Sequence, residues 1–289
     1  MDNAPVILTM HFDAPVSKVW KALTNKEQMK EWYFDVQDYE LEPGKEFHFY
    51  EPGGTSYLHQ CRILEVIPEK RFSHTWAYPK FSSGETTLTW DLEAEGNGTK
   101  LTLTHAGIEN LAAAGEAFSR ASFTEGWKGF ELGLRHFLDR PEGLGTLKFN
   151  ININSTPEKI WSLMWDKAGY AQWTKPFNPG SSISGKIEQG GRVHFLSAEG
   201  DGMYSDVDTY VPNFYIAFKH IGNIKDFKEQ PVDEDTKKWS GCIETYTLYP
   251  NGKGGSTLNV KVDVGPAHYD MMNEAFTKSL QALKEMAEQ

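Results

Sequence analysis

The sequence predicts an α+β protein of two tandem domains, each an antiparallel sheet closed by one long C-terminal helix. Three observations carry this. Phe123, Trp127, Phe130, Leu134 and Phe137 recur at spacings of four, three, four and three, which is one face of an α-helix. Upstream lie short alternating segments broken by turn chemistry, as in an antiparallel meander. The whole pattern then starts again after a Pro/Gly linker: Trp161 answers Trp20, and Trp173 answers Trp32 with the same offset.

In chain order, Val6-Ile7-Leu8-Thr9-Met10-His11-Phe12 reads as a strand, stopped by Asp13-Ala14-Pro15. Val16, Val19, Trp20 and Leu23 then form a helical stripe, and Trp32 follows a second short helical stretch. Strands are expected around 38–41, 46–50, 57–67, 71–78, 86–93 and 100–105. The breaks between them are Pro43-Gly44, Pro52-Gly53-Gly54, Pro68 and Gly96-Asn97-Gly98. An Ala-rich run from Leu111 leads into the helix expected over 123–138. Its glycines Gly126 and Gly129 each cost roughly 1 kcal/mol against alanine, so close packing on the sheet or room for a guest is expected there.

A prior of about 150 residues per domain makes 289 residues two domains, here 1–140 and 146–289. The second half repeats the first closely. Asn154-Ser155-Thr156-Pro157-Glu158-Lys159-Ile160-Trp161 answers the segment from Asp13 to Trp20. The segment from Glu188 to Phe195 answers that from Glu42 to Phe49, and Pro212 answers Pro68. The hairpin from Asn251 answers Glu95-Gly96-Asn97-Gly98, and Phe276, Leu280 and Leu283 answer Phe130, Leu134 and Phe137. Asn273 stands where the first half has Trp127.

Hydrophobic content of 39% with 13% aromatic is globular. No stretch approaches the roughly 20 apolar residues of a membrane span, and the N-terminal residues do not read as a signal peptide, so a cytoplasmic protein with reduced Cys61 and Cys242 is expected. A net charge of -11 without a basic stripe excludes nucleic acid as a partner.

Ala14-Pro15 with Val19-Trp20, Trp32, Pro43-Gly44, Pro68-Glu69-Lys70-Arg71-Phe72, the segment from Thr99 to His105, and Gly126-Trp127 together carry a resemblance. With them the chain resembles the activator of heat-shock-protein-90 ATPase homologue-like family. That family sits in the START-related, birch-pollen-allergen-like (SRPBCC) superfamily of helix-grip folds. The second half resembles it more loosely, through Pro157, Ile160-Trp161, Trp173, Gly190-Gly191, Pro212 and the last helix. The resemblance implies two curved sheets, each wrapped around its C-terminal helix, with a cavity between. It implies a binding module for a hydrophobic small molecule or lipid. The alternatives are a chaperone ATPase-activator-like interaction protein, and a cyclase- or hydrolase-type enzyme on a hydrophobic substrate.

The ligand-lining residues expected from this are Trp76, Trp90, Leu101, Leu103, Phe118, Phe123, Trp127 and Phe130. The stripe alone equally suits a solid core. His59, Cys61, His74 and His105 lie on neighbouring strand candidates, but no metal-ligand spacing supports a site, and hydrogen-bonded histidines are the expectation. No metal or other cofactor and no catalytic residue is assigned. Asp91, Glu65 and Glu131 are acid/base candidates by position only. His48 and His194 occupy equivalent repeat positions and read as structural. The longer, charged 221–241 segment of the second half reads as a solvated loop, or as a lid or partner-contact loop over the second cavity.

Overall fold

The computed structural model describes residues 4–50, 57–251 and 254–289. The Pro52-Gly53-Gly54 turn and part of the loop after Asn251 lie outside them. The chain divides into two units, Met1–Asp139 and Arg140–Gln289, each with its own sheet and hydrophobic core.

The first unit runs β1 (Val6–Phe12), α1 (Val16–Thr24), α2 (Lys26–Trp32), β2 (Glu46–Phe49), β3 (His59–Ile67), β4 (Arg71–Ala77), β5 (Glu85–Glu95), β6 (Gly98–Ala106) and α3 (Arg120–Asp139). Its six strands pair antiparallel in the order β1-β6-β5-β4-β3-β2. Consecutive strands from β2 to β6 are neighbours, and β1, separated from β2 by the short helix pair, pairs with the distant β6. The hairpin between β5 and β6 turns on Gly96 at φ 60°, a left-handed value glycine adopts without strain.

The second unit repeats this with β7 (Gly145–Ile153), α4 (Pro157–Trp165), α5 (Lys167–Trp173), β8 (Ser182–Gly185), β9 (Arg192–Leu196), β10 (Gly202–Val211), β11 (Tyr215–Lys225), β12 (Lys228–Glu229), β13 (Ile243–Pro250), β14 (Ser256–Val264) and α6 (Tyr269–Ala287). Its sheet order is β7-β14-β13-β11-β10-β9-β8, with β12 paired to β11.

The sequence repeat has a physical cause in both units. Trp32 Nε1 donates to Ala22 O at 2.9 Å, and Trp173 Nε1 donates to Met164 O at 3.1 Å, so each indole ties its second helix back to the first. Those second helices start on caps, with Gln28 N donating to Asn25 Oδ1 and Gly169 N to Asp166 Oδ2. Thr99 Oγ1 donates to Ala14 O at 2.7 Å, and Ser256 Oγ donates to Ser155 O at 2.8 Å. This tie fixes the start of α1 or α4 against the same rung of the sheet.

Two local expectations need correcting. Residues 38–41 form no strand: Gln37 makes a single bridge to His48, and Asp38 at φ 55° takes the chain out of extended geometry. The run from Leu111 leads into α3 as expected, through two 3₁₀ turns, Ile108–Ala114 and Glu116–Phe118. The 221–241 segment is not all loop, since β11 continues to Lys225 and pairs with β12.

On α3, Trp127, Leu134 and Leu138 are buried, whereas Phe123, Phe130 and Phe137 are half-buried at its flanks. Gly126 and Gly129 stand on the exposed side, where an added Cβ would meet nothing within 4 Å. They serve neither close packing nor a guest. The close approach falls at Gly133, whose added Cβ would sit 3.4 Å from Trp32 O.

Candidate ligand-binding site

Alternation along the strands aims one set of side chains at α3. On β5 that set is Leu88, Trp90 and Leu92; on β6 it is Leu101, Leu103 and His105; on β4 it includes Phe72, His74 and Trp76. All eight expected lining residues fall in or against this one cluster. Trp127 is its centre, with ring centroids 5.4 Å from Trp76, 5.7 Å from Trp90 and 5.2 Å from Phe130. Phe118 packs 4.7 Å from Tyr78 and 5.3 Å from Phe81. Tyr57 stacks on Phe81 at 5.1 Å, and both rings are more than a third exposed, so aromatic surface continues from the core to solvent at this end.

Polar atoms inside this wall are few, and most are satisfied. Trp127 Nε1 donates to His105 Nδ1 at 3.1 Å, His105 Nε2 donates to Thr86 Oγ1 at 2.7 Å, and Thr86 donates on to Trp76 O. Burial pushes the His105 imidazole down to about 3 and the His74 imidazole down to about 4, so both are neutral at pH 7. His74 Nδ1 donates to Thr75 O at 2.8 Å. The histidines are thus tied into the core by hydrogen bonds. Among the described residues no group of three or more His, Cys, Asp or Glu side chains is arranged to hold a metal.

The Tyr33 hydroxyl, like the Tyr39 hydroxyl and Trp76 Nε1, is different. The chain leaves α2 at Tyr33, whose ring contacts Phe34, Phe49, Trp90 and Phe130. Its hydroxyl is buried without a hydrogen-bond partner among the described residues. Burial raises its ionisation well above the ordinary phenol range, with Cys61 and Tyr78 adding to the effect.

The acid/base candidates lie elsewhere. Arg71 pairs with Asp91 at 2.6 Å and with Glu65 at 3.5 Å, and Arg135 pairs with Glu131 at 3.2 Å, all at least partly exposed. His48 and His194 make solvent-side pairs with Asp38 and Glu229.

The carboxylate that does enter a grip is Glu244, on β13 of the second unit, which sequence reasoning missed. Its side chain is 14% exposed. It lies between Phe218 and Val262 in the sheet register, with both neighbours buried. Tyr246 Oη donates to Glu244 Oε1 at 2.5 Å, and His220 Nε2 lies 3.5 Å from Oε2. His220 Nδ1 in turn hydrogen-bonds Ser205 Oγ at 2.7 Å, and Ser205 is fully buried. Parity held the signal: in Ile243-Glu244-Thr245-Tyr246-Thr247-Leu248, the glutamate shares a face with Tyr246 and Leu248.

Beside this interior, a groove of about 370 Å³ opens between Trp161, Trp165, Ile183, Ile187 and Tyr210. The 221–241 segment walls a separate recess of about 660 Å³ with Asn223, Gln230, Asp233 and Thr236. Its Lys237 and Lys238 pair with Glu234 and Asp235 in solvent.

Residues 13–138 match the family model described as Activator of Hsp90 ATPase homolog 1-like protein. That match lies within the first unit and agrees with the helix-grip architecture described above, a fold that commonly binds hydrophobic ligands. Among solved structures, CalU16 from Micromonospora echinospora is 25% identical over 46% of this chain and 75% of its own, with a TM-score of 0.37. DynU16, from the dynemicin biosynthetic locus, is 16% identical over 100% of this chain and 98% of its own, at 0.42. The Aha1 dimer from Colwellia psychrerythraea is 19% identical over 50% and 96%, at 0.40. No curated protein matches the chain significantly. No described helix is long and apolar enough to cross a membrane.

Proposed function

We propose that the first unit is a binding domain for an apolar small molecule or lipid, held between the sheet and α3 by Trp76, Trp90, Leu101, Leu103, Phe118, Phe123, Trp127 and Phe130. The observation that carries this is the Tyr33 hydroxyl. A buried hydroxyl left without a partner costs on the order of 1–3 kcal/mol, and native interiors rarely tolerate one. A guest bearing one hydrogen-bonding group relieves that cost, while the aromatic walls supply apolar contact. The half-buried Phe123 and Phe130 and the exposed Tyr57–Phe81 stack offer the way in.

Native mass spectrometry of the full chain after exposure to a total lipid extract tests this. The wild type is expected to retain a small-molecule mass, and Tyr33→Phe to retain less of it while melting at the same temperature or higher. A chain that never retains added mass sinks the reading.

The family description favours a second reading, contact with a chaperone ATPase. No change in the ATPase rate of the cognate Hsp90-type chaperone on adding this protein removes it.

A further inference from the structure

The two grips place different chemistry at equivalent positions. In the first unit, Leu88 sits between His74 and His105 in the register; in the second, Glu244 sits between Phe218 and Val262. Moving one rung along, Trp76 of the first unit corresponds to His220 of the second, and Cys61 to Ser205. Leu88, Trp76 and Cys61 of the first unit are thus answered by a carboxylate backed by a histidine and a serine.

A carboxylate inside an aromatic wall is costly unless something of opposite charge or donor character meets it. Among the described residues no Lys or Arg pairs with Glu244; its one ion-pair partner is His220. Tyr246 occupies Oε1, while Oε2 stands 3.5 Å from His220 Nε2, too far for a full hydrogen bond, so it keeps accepting capacity. Ser205 is fully buried and orients the imidazole, and its burial leaves no approach for it as a nucleophile.

Around the carboxylate the rings are dense. Trp165 contacts Phe218 at 5.2 Å and Tyr246 at 5.1 Å, and Phe195 contacts Phe218 at 5.2 Å. Aromatic faces with a carboxylate among them are the chemistry that holds an organic ammonium. The same Trp165 lines the groove shared with Trp161 and Tyr210, and its buried Nε1 has no hydrogen-bond partner among the described residues. Trp165 thus borders both the open groove and the rings of Phe218 and Tyr246 that flank the buried acceptor.

We propose that the second unit binds a small organic amine in its protonated form, the apolar body lying in the Trp161–Trp165–Tyr210 groove and the ammonium reaching Glu244 as Trp165 turns aside. The site is separate from the apolar one proposed for the first unit and of opposite selectivity, since it requires charge.

Isothermal titration calorimetry of the full chain with phenethylamine and with 3-phenylpropionate, which carries the same ring on an anion, tests the proposal. Phenethylamine is expected to bind and 3-phenylpropionate not to. Glu244→Gln should weaken the amine by roughly tenfold or more, as loss of a charge-assisted contact does. Glu244→Leu, which restores the residue found at the equivalent first-unit position, should abolish binding. Thermal melting run in parallel separates loss of the site from loss of the fold, and Glu244→Gln supplies the answer if the leucine variant does not fold. Equal binding of amine and anion, amine binding retained at full strength in Glu244→Gln, or no heat with the amine each overturns it.

Discussion

The interiors of the two units share one backbone plan and differ in most of the side chains aimed inward, a few of them in a way that changes the chemistry. Around the central helix the first unit sets Cys61, Trp76, Leu88 and His105, with Trp127 donating to His105. At the corresponding positions the second sets Ser205, His220, Glu244 and Val262, and the residue opposite Trp127 is the exposed Asn273. Polarity has moved one strand across the sheet, from β6 to β13, and the helix has lost its anchor to it. Duplication thus preserved the scaffold contacts, such as the Thr99 and Ser256 ties, and released the interior.

The largest effect separating the units should come from the helix anchor. Trp127→Ala removes a buried indole and its hydrogen bond and should destabilise the first unit by about 3–5 kcal/mol, whereas Asn273→Ala should stay within about 0.5 kcal/mol. Urea unfolding of both variants measures this; comparable losses would erase the distinction between the two helices.

Acid should act next. His74 and His105 stay neutral in the folded first unit, down to about 4 and about 3. The unfolded chain takes up protons on both below about pH 6.5. Stability is therefore complete above that value and falls as pH drops toward 4, at up to about 1.4 kcal/mol per pH unit for each histidine. Urea midpoints from pH 7 to 5 should show it, and His74→Leu should remove about half the slope. A flat profile would mean that the imidazoles meet water.

The smallest effect should be a gain. Gly126→Ala and Gly129→Ala place a methyl in open space on α3, so each should stabilise by about 0.5–1 kcal/mol. No equivalent glycine interrupts α6, so these two changes also ask whether α3 is held loose at its N-terminal half. Slower release of a bound apolar probe from the double variant, read by stopped-flow fluorescence, would tie that looseness to ligand exchange.

Much of this was legible beforehand. The period-3.6 stripe of α3, the period-2 strands and the internal repeat follow from which side chains must be dry, and that constraint writes itself into sequence. The eight residues expected to line a cavity fall in or against one core cluster for the same reason. Charged groups were read less well. Asp91 looked available, yet Leu88, Trp90 and Leu92 already claimed the inner face of β5, so parity alone put Asp91 outside with Arg71. Glu244 broke the opposite rule by keeping the inner parity, and a charged residue among apolar neighbours is easily taken for a surface position. The absence of a strand at 38–41 was not legible, because it turns on the backbone angle of Asp38 rather than on hydrophobicity.

The Thr99 and Ser256 hydroxyls bind the carbonyls of Ala14 and Ser155 with nearly the same length, so rung for rung the two sheets start from a common origin. Positions on β13 and β5 can therefore be matched one to one. A chimaera carrying Glu244, His220 and Ser205 at the positions of Leu88, Trp76 and Cys61 would transfer a chemical preference as a cassette. The proposed difference between the units rests on a few inward-facing side chains, so one copy of a duplicated grip can change its chemistry while the other keeps its own.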